Sequence, residues 1–169
     1  MDATATASRV NQPLAFEEFF QAQRARLLRA LYLLTGNAEE AEEVLQDAFL
    51  ALWERWDRVA GMDDPVGYLY RTALNRYRSR VRRAVRAARR VTGQAHGADL
   101  FAEADERDAV ARALAGLTPR RREAVVLTEV LGYGSPEAGK VMGVADATVR
   151  RLAQDAREDL RRALEAHDD

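Results

Sequence analysis

Apolar residues recur at three- and four-residue spacing along most of the chain, and no alternating strand pattern extends beyond a few positions. Phe16, Phe19, Phe20, Leu27, Leu31 and Leu34 mark the buried stripe of a first helix, about Phe16 to Leu34, which stops at the turn Thr35-Gly36-Asn37. A second helix begins near Asn37, a good N-cap, and carries Glu39, Glu40, Glu42 and Glu43 in its first turns, where the helix dipole favours acids. Its core stripe is Ala41, Val44, Leu45, Ala48, Leu52 and Trp56. Val59 to Asp64 reads as a short exposed loop, and Pro65 suits the first turn of a third helix. There Leu69, Ala73, Tyr77, Val81 and Val85 face one side, while Arg71, Asn75, Arg78, Arg82, Arg86 and Arg89 share another.

Val91 to Ala98, with Gly93 and Gly97, predicts a linker between two modules. A helix from about Ala104 to Ala115 then ends at Gly116, and Thr118-Pro119 opens another that carries Ala124, Val125, Leu127, Val130 and Leu131. Gly132-Tyr133-Gly134 ends it; with no strand before it, this Gly-x-Gly is no phosphate loop. A short helix, Pro136 to Met142, the turn Gly143-Val144-Ala145 and a longer helix from Asp146 to about Leu164 have helix-turn-helix spacing. Val149, Ala153, Ala156 and Leu160 are its inward positions. Thr148, Arg150, Arg151 and Gln154 are left to reach phosphates and base edges. The reading is all-α, two small helical domains joined by a flexible linker, without a winged-helix-like fold. Its boundaries are a disordered stretch at 1–13, a first domain at 14–90, a linker at 91–103 and a second domain at 104–166.

Composition narrows the chemistry. The 169 residues include no cysteine, which excludes disulfides, thiolate metal sites and cysteine nucleophiles. Imidazole comes only from His96 and His167, one in the expected linker and one at the C-terminus, so neither histidine catalysis nor a metal site is expected. The carboxylates of the second helix have no histidine beside them and are read as dipole-complementing or protein-binding groups. No catalytic residue, metal or cofactor is assigned. The first dozen residues lack the apolar run of a secretion signal, and nothing approaches eighteen consecutive apolar residues, so a cytoplasmic protein without membrane insertion is expected.

The formal charge of -1 conceals a segregation. Phe16 to Asp64 holds eleven acids against five arginines, whereas Pro65 to Ala98 holds nine arginines and no acid. Solvated helix faces normally mix both signs, so an acid-free basic helix predicts a polyanion as partner. Its apolar stripe is diluted by alanine and lacks tryptophan and phenylalanine, which disfavours a membrane surface.

Several stretches resemble the extracytoplasmic-function branch of the sigma-70 family, over roughly residues 14 to 166. Leu34-Thr35-Gly36-Asn37, Ala38-Glu39-Glu40-Ala41-Glu42-Glu43 and Leu45-Gln46-Asp47-Ala48-Phe49-Leu50-Ala51-Leu52-Trp53 resemble the family's second conserved region. Asp64-Pro65, Tyr68-Leu69, Arg71 and Asn75 resemble its promoter-melting segment, and Leu117-Thr118-Pro119-Arg120-Arg121-Arg122-Glu123-Ala124 the start of its fourth region. The resemblance implies a sigma factor, not an enzyme, that directs core RNA polymerase to promoter DNA and assists minus-ten melting. Glu43, Gln46, Asp47, Phe49, Leu50 and Trp53 are then the polymerase-binding set, docking on the clamp helices of the largest subunit, with the polymerase flap region as a further contact. Met62, Asp63, Asp64, Tyr68, Arg71, Asn75, Arg78 and Arg82 are the minus-ten set, meeting unstacked bases and phosphates of the opened strand. Arg120, Arg121, Thr148, Arg150, Arg151 and Gln154 are the minus-thirty-five set. An anti-sigma factor is a further implied partner.

The chain also departs from the family. Tyr68 stands where tryptophan is common, and Ser79 where an aspartate often occurs. Gly134-Ser135-Pro136-Glu137-Ala138-Gly139-Lys140 replaces a bulkier run, with Ala138 in place of a large core residue and glycine inside a helix at a cost of roughly 1 kcal/mol. Leu152 and Asp155 stand where basic residues are usual, which predicts reduced phosphate affinity. Together with the altered helix before them they motivate a second reading, a sigma-like regulator that binds polymerase or DNA and does not initiate by itself. A third reading is a helical module whose basic helix binds RNA or an acidic protein and which forms no stable complex with polymerase.

Overall fold

A computed structural model describes residues 15–92 and 109–165, which form α-helices, one π-helical turn and, among the described residues, no strand. The expected disordered residues 1–13, most of the expected linker and the expected start of a helix at Ala104 lie outside the described residues.

Local chemistry sets the first helical hairpin. Helix α1 (Phe16–Thr35) ends where Gly36 takes φ 69°, and the Gly36 N–H returns to the Tyr32 carbonyl at 2.8 Å. Asn37 then caps α2 (Ala38–Trp53): its Oδ1 accepts from the Glu40 N–H at 2.9 Å. The buried faces are the predicted ones, with Leu27, Leu31 and Leu34 on α1 and Ala41, Val44, Leu45, Ala48 and Leu52 on α2. Trp56 belongs not to α2 but to a single turn, α3 (Trp56–Val59), which follows a break at Glu54-Arg55. Val59 is wholly buried, so the segment read as an exposed loop is anchored at its start by an apolar side chain in the core. Asp64 caps α4 (Pro65–Thr92), its carboxylate accepting from the Gly67 N–H at 2.8 Å, and α4 continues two residues past the expected domain boundary.

The second half comprises α5 (Ala109–Ala115), α6 (Pro119–Val125), a π-helical turn (Val126–Val130), α7 (Ser135–Met142) and α8 (Asp146–Glu165). In the π turn the Leu131 N–H reaches back to the Val126 carbonyl at 3.0 Å. The extra residue per turn keeps Leu131 buried and rolls Val130, an expected core position, to the surface. Gly143 at φ 71° makes the tight turn between α7 and α8.

The two halves are docked. Their buried side chains form one contiguous core, with α1 against α5 and α6 and α4 against α7. At the junction Arg122, only 1% exposed, donates to the carbonyls of Leu114 (2.7 Å), Ala115 and Leu117 (both 2.9 Å) and, across the junction, Leu34 (2.9 Å). A buried guanidinium is tolerated because these carbonyls replace its water shell.

Candidate nucleic-acid interface

Three surfaces gather the residues singled out by the sequence. The first is a cavity of about 250 Å³ at the start of α4, lined by Ala51, Glu54, Arg55, Tyr68, Arg71, Thr72, Asn75 and Arg76. It unites three expected minus-ten residues, Tyr68, Arg71 and Asn75, with two arginines outside that expected set. Arg76 was visible in the basic run, whereas Arg55 sits at the end of the acidic helix and only the fold carries it there. Arg55 Nη1 donates to the Tyr68 hydroxyl at 3.5 Å, and with Arg58 nearby this lowers the phenol below its ordinary pKa. Met62 packs half-buried on the core, Asp63 is exposed, and Asp64 is committed to capping α4.

Further along the same stripe, Arg78 and Arg82 leave this cavity and face the second half of the chain, with Tyr77, Val81, Pro119, Arg120 and Glu123 around a gap of about 210 Å³. Arg78 Nε donates to Glu123 Oε1 at 2.8 Å, Nη2 bonds the other carboxylate oxygen, and Nη2 also reaches the Met142 carbonyl at 3.4 Å.

The second surface is the outer side of α2. Glu43 and Gln46 are exposed, Asp47 is half-buried, and Leu50 and Trp53 leave 58% and 56% of their area open. Phe49 departs from expectation. It is 4% exposed, its ring 4.7 Å from Phe20 and 6.3 Å from Phe16, so it builds the platform beneath this face and does not belong to its outer surface. Its spacing of four from Leu45 puts it on the core stripe, a signal that outweighs the motif. Arg80 crosses from α4 to bond Glu43 and lies 3.6 Å from Asp47.

The helix-turn-helix forms the third surface. Val149, Ala153 and Ala156 are buried, while Arg150, Arg151 and Gln154 are exposed and Thr148 is half-buried. Arg150 bonds Asp146 at 2.8 Å and holds that carboxyl below the usual carboxylate range; Gln154 bonds Glu158 at 3.2 Å. Two departures from the family make contacts within the domain. Leu152 is half-buried against the core, so it is a packing residue. Asp155, expected to oppose DNA phosphates, instead accepts from Arg121 at 3.0 Å, with Asp159 taking the other arm of that guanidinium at 2.7 Å. The acid is thereby paired with a cation of its own domain, and Arg121, an expected DNA contact, is engaged in that pair. Arg120, half-exposed, donates to the Met142 carbonyl at 3.2 Å.

Gly139 is also recast. A Cβ added there would stand 2.7 Å from the Val144 carbonyl oxygen, because the turn folds back so closely that Gly143 and Val144 both donate to the Gly139 carbonyl. Alanine is the better helix former by about 1 kcal/mol, yet Gly139→Ala is expected to lower stability by about 1–3 kcal/mol, since backbone cannot yield as a side-chain tip can. Urea unfolding followed by circular dichroism checks this; a stabilised variant would contradict it.

A fourth surface is an apolar groove of about 470 Å³ between α5, the π turn and α8, with Val110, Val130 and Leu164 exposed along it and Leu33 reaching it from α1. No sequence signal singled it out, because its walls come from four separated segments.

Comparison with known proteins accords with this architecture. Residues 19–87 match the family described as Sigma-70 region 2, and residues 107–160 match Sigma-70, region 4. Two such helical domains in this order define an RNA polymerase sigma factor. The chain is 30% identical over 156 residues to the ECF RNA polymerase sigma factor SigM of Mycobacterium tuberculosis, an alignment covering 89% of this chain and 77% of SigM. CnrH, solved in complex with the cytosolic domain of CnrY, superposes with a TM-score of 0.63 at 27% identity, covering 89% of this chain and 88% of CnrH. The sigma factor RpoE of Bartonella quintana, solved with the anti-sigma factor NepR, has the same fold at a TM-score of 0.76 and 21% identity, covering 89% of this chain and 96% of RpoE. The chain belongs to the extracytoplasmic-function (ECF) branch of the sigma-70 family of RNA polymerase sigma factors.

Proposed function

We propose that the outer face of α2 docks this sigma factor on core RNA polymerase and that the cavity at the start of α4 receives unstacked bases of the minus-ten strand. The observation that carries the reading is the convergence of Tyr68, Arg71 and Asn75 with Arg55 and Arg76 around one cavity. An aromatic ring supplies a stacking surface, Asn75 an amide that can read a base edge, and the arginines hold the backbone phosphates. Glu43, Gln46, Asp47, Leu50 and Trp53 form the polymerase face, an apolar centre with an acidic rim. Arg150, Arg151, Thr148 and Gln154 present the second helix of the helix-turn-helix to duplex DNA at the minus-thirty-five element. The chain acts by binding and performs no covalent step, and its place is the cytoplasm, where polymerase works; no helix among the described residues is long and apolar enough to cross a membrane. RpoE was solved with the anti-sigma factor NepR, and an anti-sigma factor is by analogy a partner of this chain.

The regulator reading drew its motive from Leu152, Asp155 and the altered helix before them; Leu152 packs on the core and Asp155 pairs with Arg121, contacts that give both residues a role within the domain.

Promoter-directed transcription by purified core polymerase, with and without this protein, tests the reading on duplex and pre-melted templates. Specific transcripts from duplex DNA are the expected result; activity on pre-melted templates alone would return the regulator to first place. Asp47→Arg is expected to weaken polymerase binding about tenfold or more by placing a cation on the acidic rim. Asn75→Ala is expected to leave that binding intact and slow promoter opening about tenfold, the loss of roughly one base contact. If both variants fail in the same assay, the division of roles is wrong.

A further inference from the structure

We infer that Arg55 and Arg58, at the single turn α3, are positioning residues for promoter opening: they hold the Tyr68 ring against the base cavity by its hydroxyl. The inference rests on the reading of that cavity as a base site.

Tyr68 lies in the opening turns of α4, and its main chain is engaged at both ends. Its N–H reaches the Asp64 carbonyl at 3.2 Å, and its carbonyl accepts from the Thr72 hydroxyl at 2.8 Å. Helical side chains lean towards the N-terminus, which carries this ring back towards α3. The ring packs partly on the core. A half-buried ring still turns about its side-chain torsions, and a stacking surface left untied loses affinity to the entropy of ordering it against a base.

The turn α3 supplies the tie. Val59 is wholly buried, and the Arg55 carbonyl accepts from the Arg58 and Val59 N–H groups, both at 3.0 Å. The turn therefore cannot shift without drawing an apolar side chain out of the core. Arg55 and Arg58, three residues apart, share one face of it. Arg55 Nη1 donates to the Tyr68 hydroxyl at 3.5 Å, and the Arg58 guanidinium stands beside the same oxygen. Among the described residues neither guanidinium forms an ion pair, although Glu54 and Asp57 line the adjoining cavity with them. Both are therefore left to the phenol oxygen. Tryptophan, common at this position in the family, could not be held in this way: its indole N–H and a guanidinium are both donors only, whereas a phenol oxygen accepts. The exchange to tyrosine gives the ring a handle that these two arginines grip.

Ultraviolet titration of phenolate reads the tie directly. Burial pushes the Tyr70 and Tyr77 hydroxyls up to about 12 and raises that of Tyr133, whereas the Arg55 hydrogen bond, with Arg58, lowers that of Tyr68. The ionisation that disappears in Tyr68→Phe is therefore expected below the ordinary phenol range, and expected to move up in Arg55→Gln and in Arg58→Gln. Circular dichroism across the same pH range verifies that each variant stays folded. Promoter opening is followed with the protein saturating core polymerase, as the fluorescence rise of 2-aminopurine in the minus-ten strand. Tyr68→Phe is expected to slow opening about three- to fivefold, the scale of one hydrogen bond. Arg55→Gln is expected to slow it more in the parent than in the Tyr68→Phe background, where the tie is already absent; a double-mutant cycle isolates that difference from any phosphate contact Arg55 makes. Equal losses in the two backgrounds, or a Tyr68 titration that neither arginine moves, would overturn the positioning role. Tyr68→Ala separates this inference from the reading beneath it. Parental opening without the ring would sink the base-site reading itself, whereas slow opening in Tyr68→Ala beside parental opening in Tyr68→Phe would remove the tie alone.

Discussion

Replacement of Arg122 by alanine is expected to destabilise the folded chain by about 3–5 kcal/mol, the range for removing one member of a buried charged network. The side chain is buried, and its four carbonyl partners lie at 2.7–2.9 Å. Alanine would remove one donor from each of those acceptors and leave a void the length of an arginine at the junction of α1, α5 and α6. The neighbouring carboxylate adds to the effect, since Glu123 would remain buried beside a weakened junction. Lysine would recover only part, because a single ammonium cannot span carbonyls arranged around a planar fork. A melting temperature lowered by on the order of 10 °C is the corresponding thermal result. A loss below about 1 kcal/mol in urea unfolding would mean that the junction does not depend on this network.

The second large effect is expected at Leu50. This side chain is mostly exposed and contributes nothing to the core, so Leu50→Asp should leave the melting temperature within a few degrees of the parent. It sits beside Trp53 on a platform of rings, with Trp53 4.9 Å from Phe16 and Phe49 buried beneath. An exposed apolar centre ringed by Glu43, Gln46 and Asp47 is the composition of a binding hot spot. A carboxylate placed there would be buried unpaired on docking, and affinity for core polymerase is expected to fall about a hundredfold, roughly 2.7 kcal/mol. Polymerase binding at parental affinity by this variant would move the docking face elsewhere. Reduced thermal stability to match the lost affinity would make the effect structural.

These two substitutions differ in how they could be foreseen. Leu50 lies in a run that resembles a known binding region, and its exposure follows from helix periodicity. Arg122 lies in a run of three arginines whose members the sequence treats alike. The fold gives them three fates: Arg120 half-exposed, Arg121 paired to Asp155 and Asp159, Arg122 buried. Adjacent helix positions point about 100° apart, so one faces solvent, one a neighbouring helix and one the core.

What the sequence determined is local or periodic. The stop at Gly36, the cap at Asn37, the start at Pro65 and the turn at Gly143 depend on neighbours within a few residues, and the core stripes follow from a period of 3.6. The segregation of acids before Asp64 from arginines after it is equally a property of the string. The tertiary structure alone decided which charges meet. Asp155 finds Arg121 at a separation of 34 residues, Arg78 finds Glu123 at 45 and Arg122 finds Leu34 at 88. It also decided that Gly139 makes room for the Val144 carbonyl and that Phe49 lies beneath the docking face. Each of these depends on the distance of closest approach between segments remote in the chain, and periodicity carries no information about which face of one helix meets which face of another.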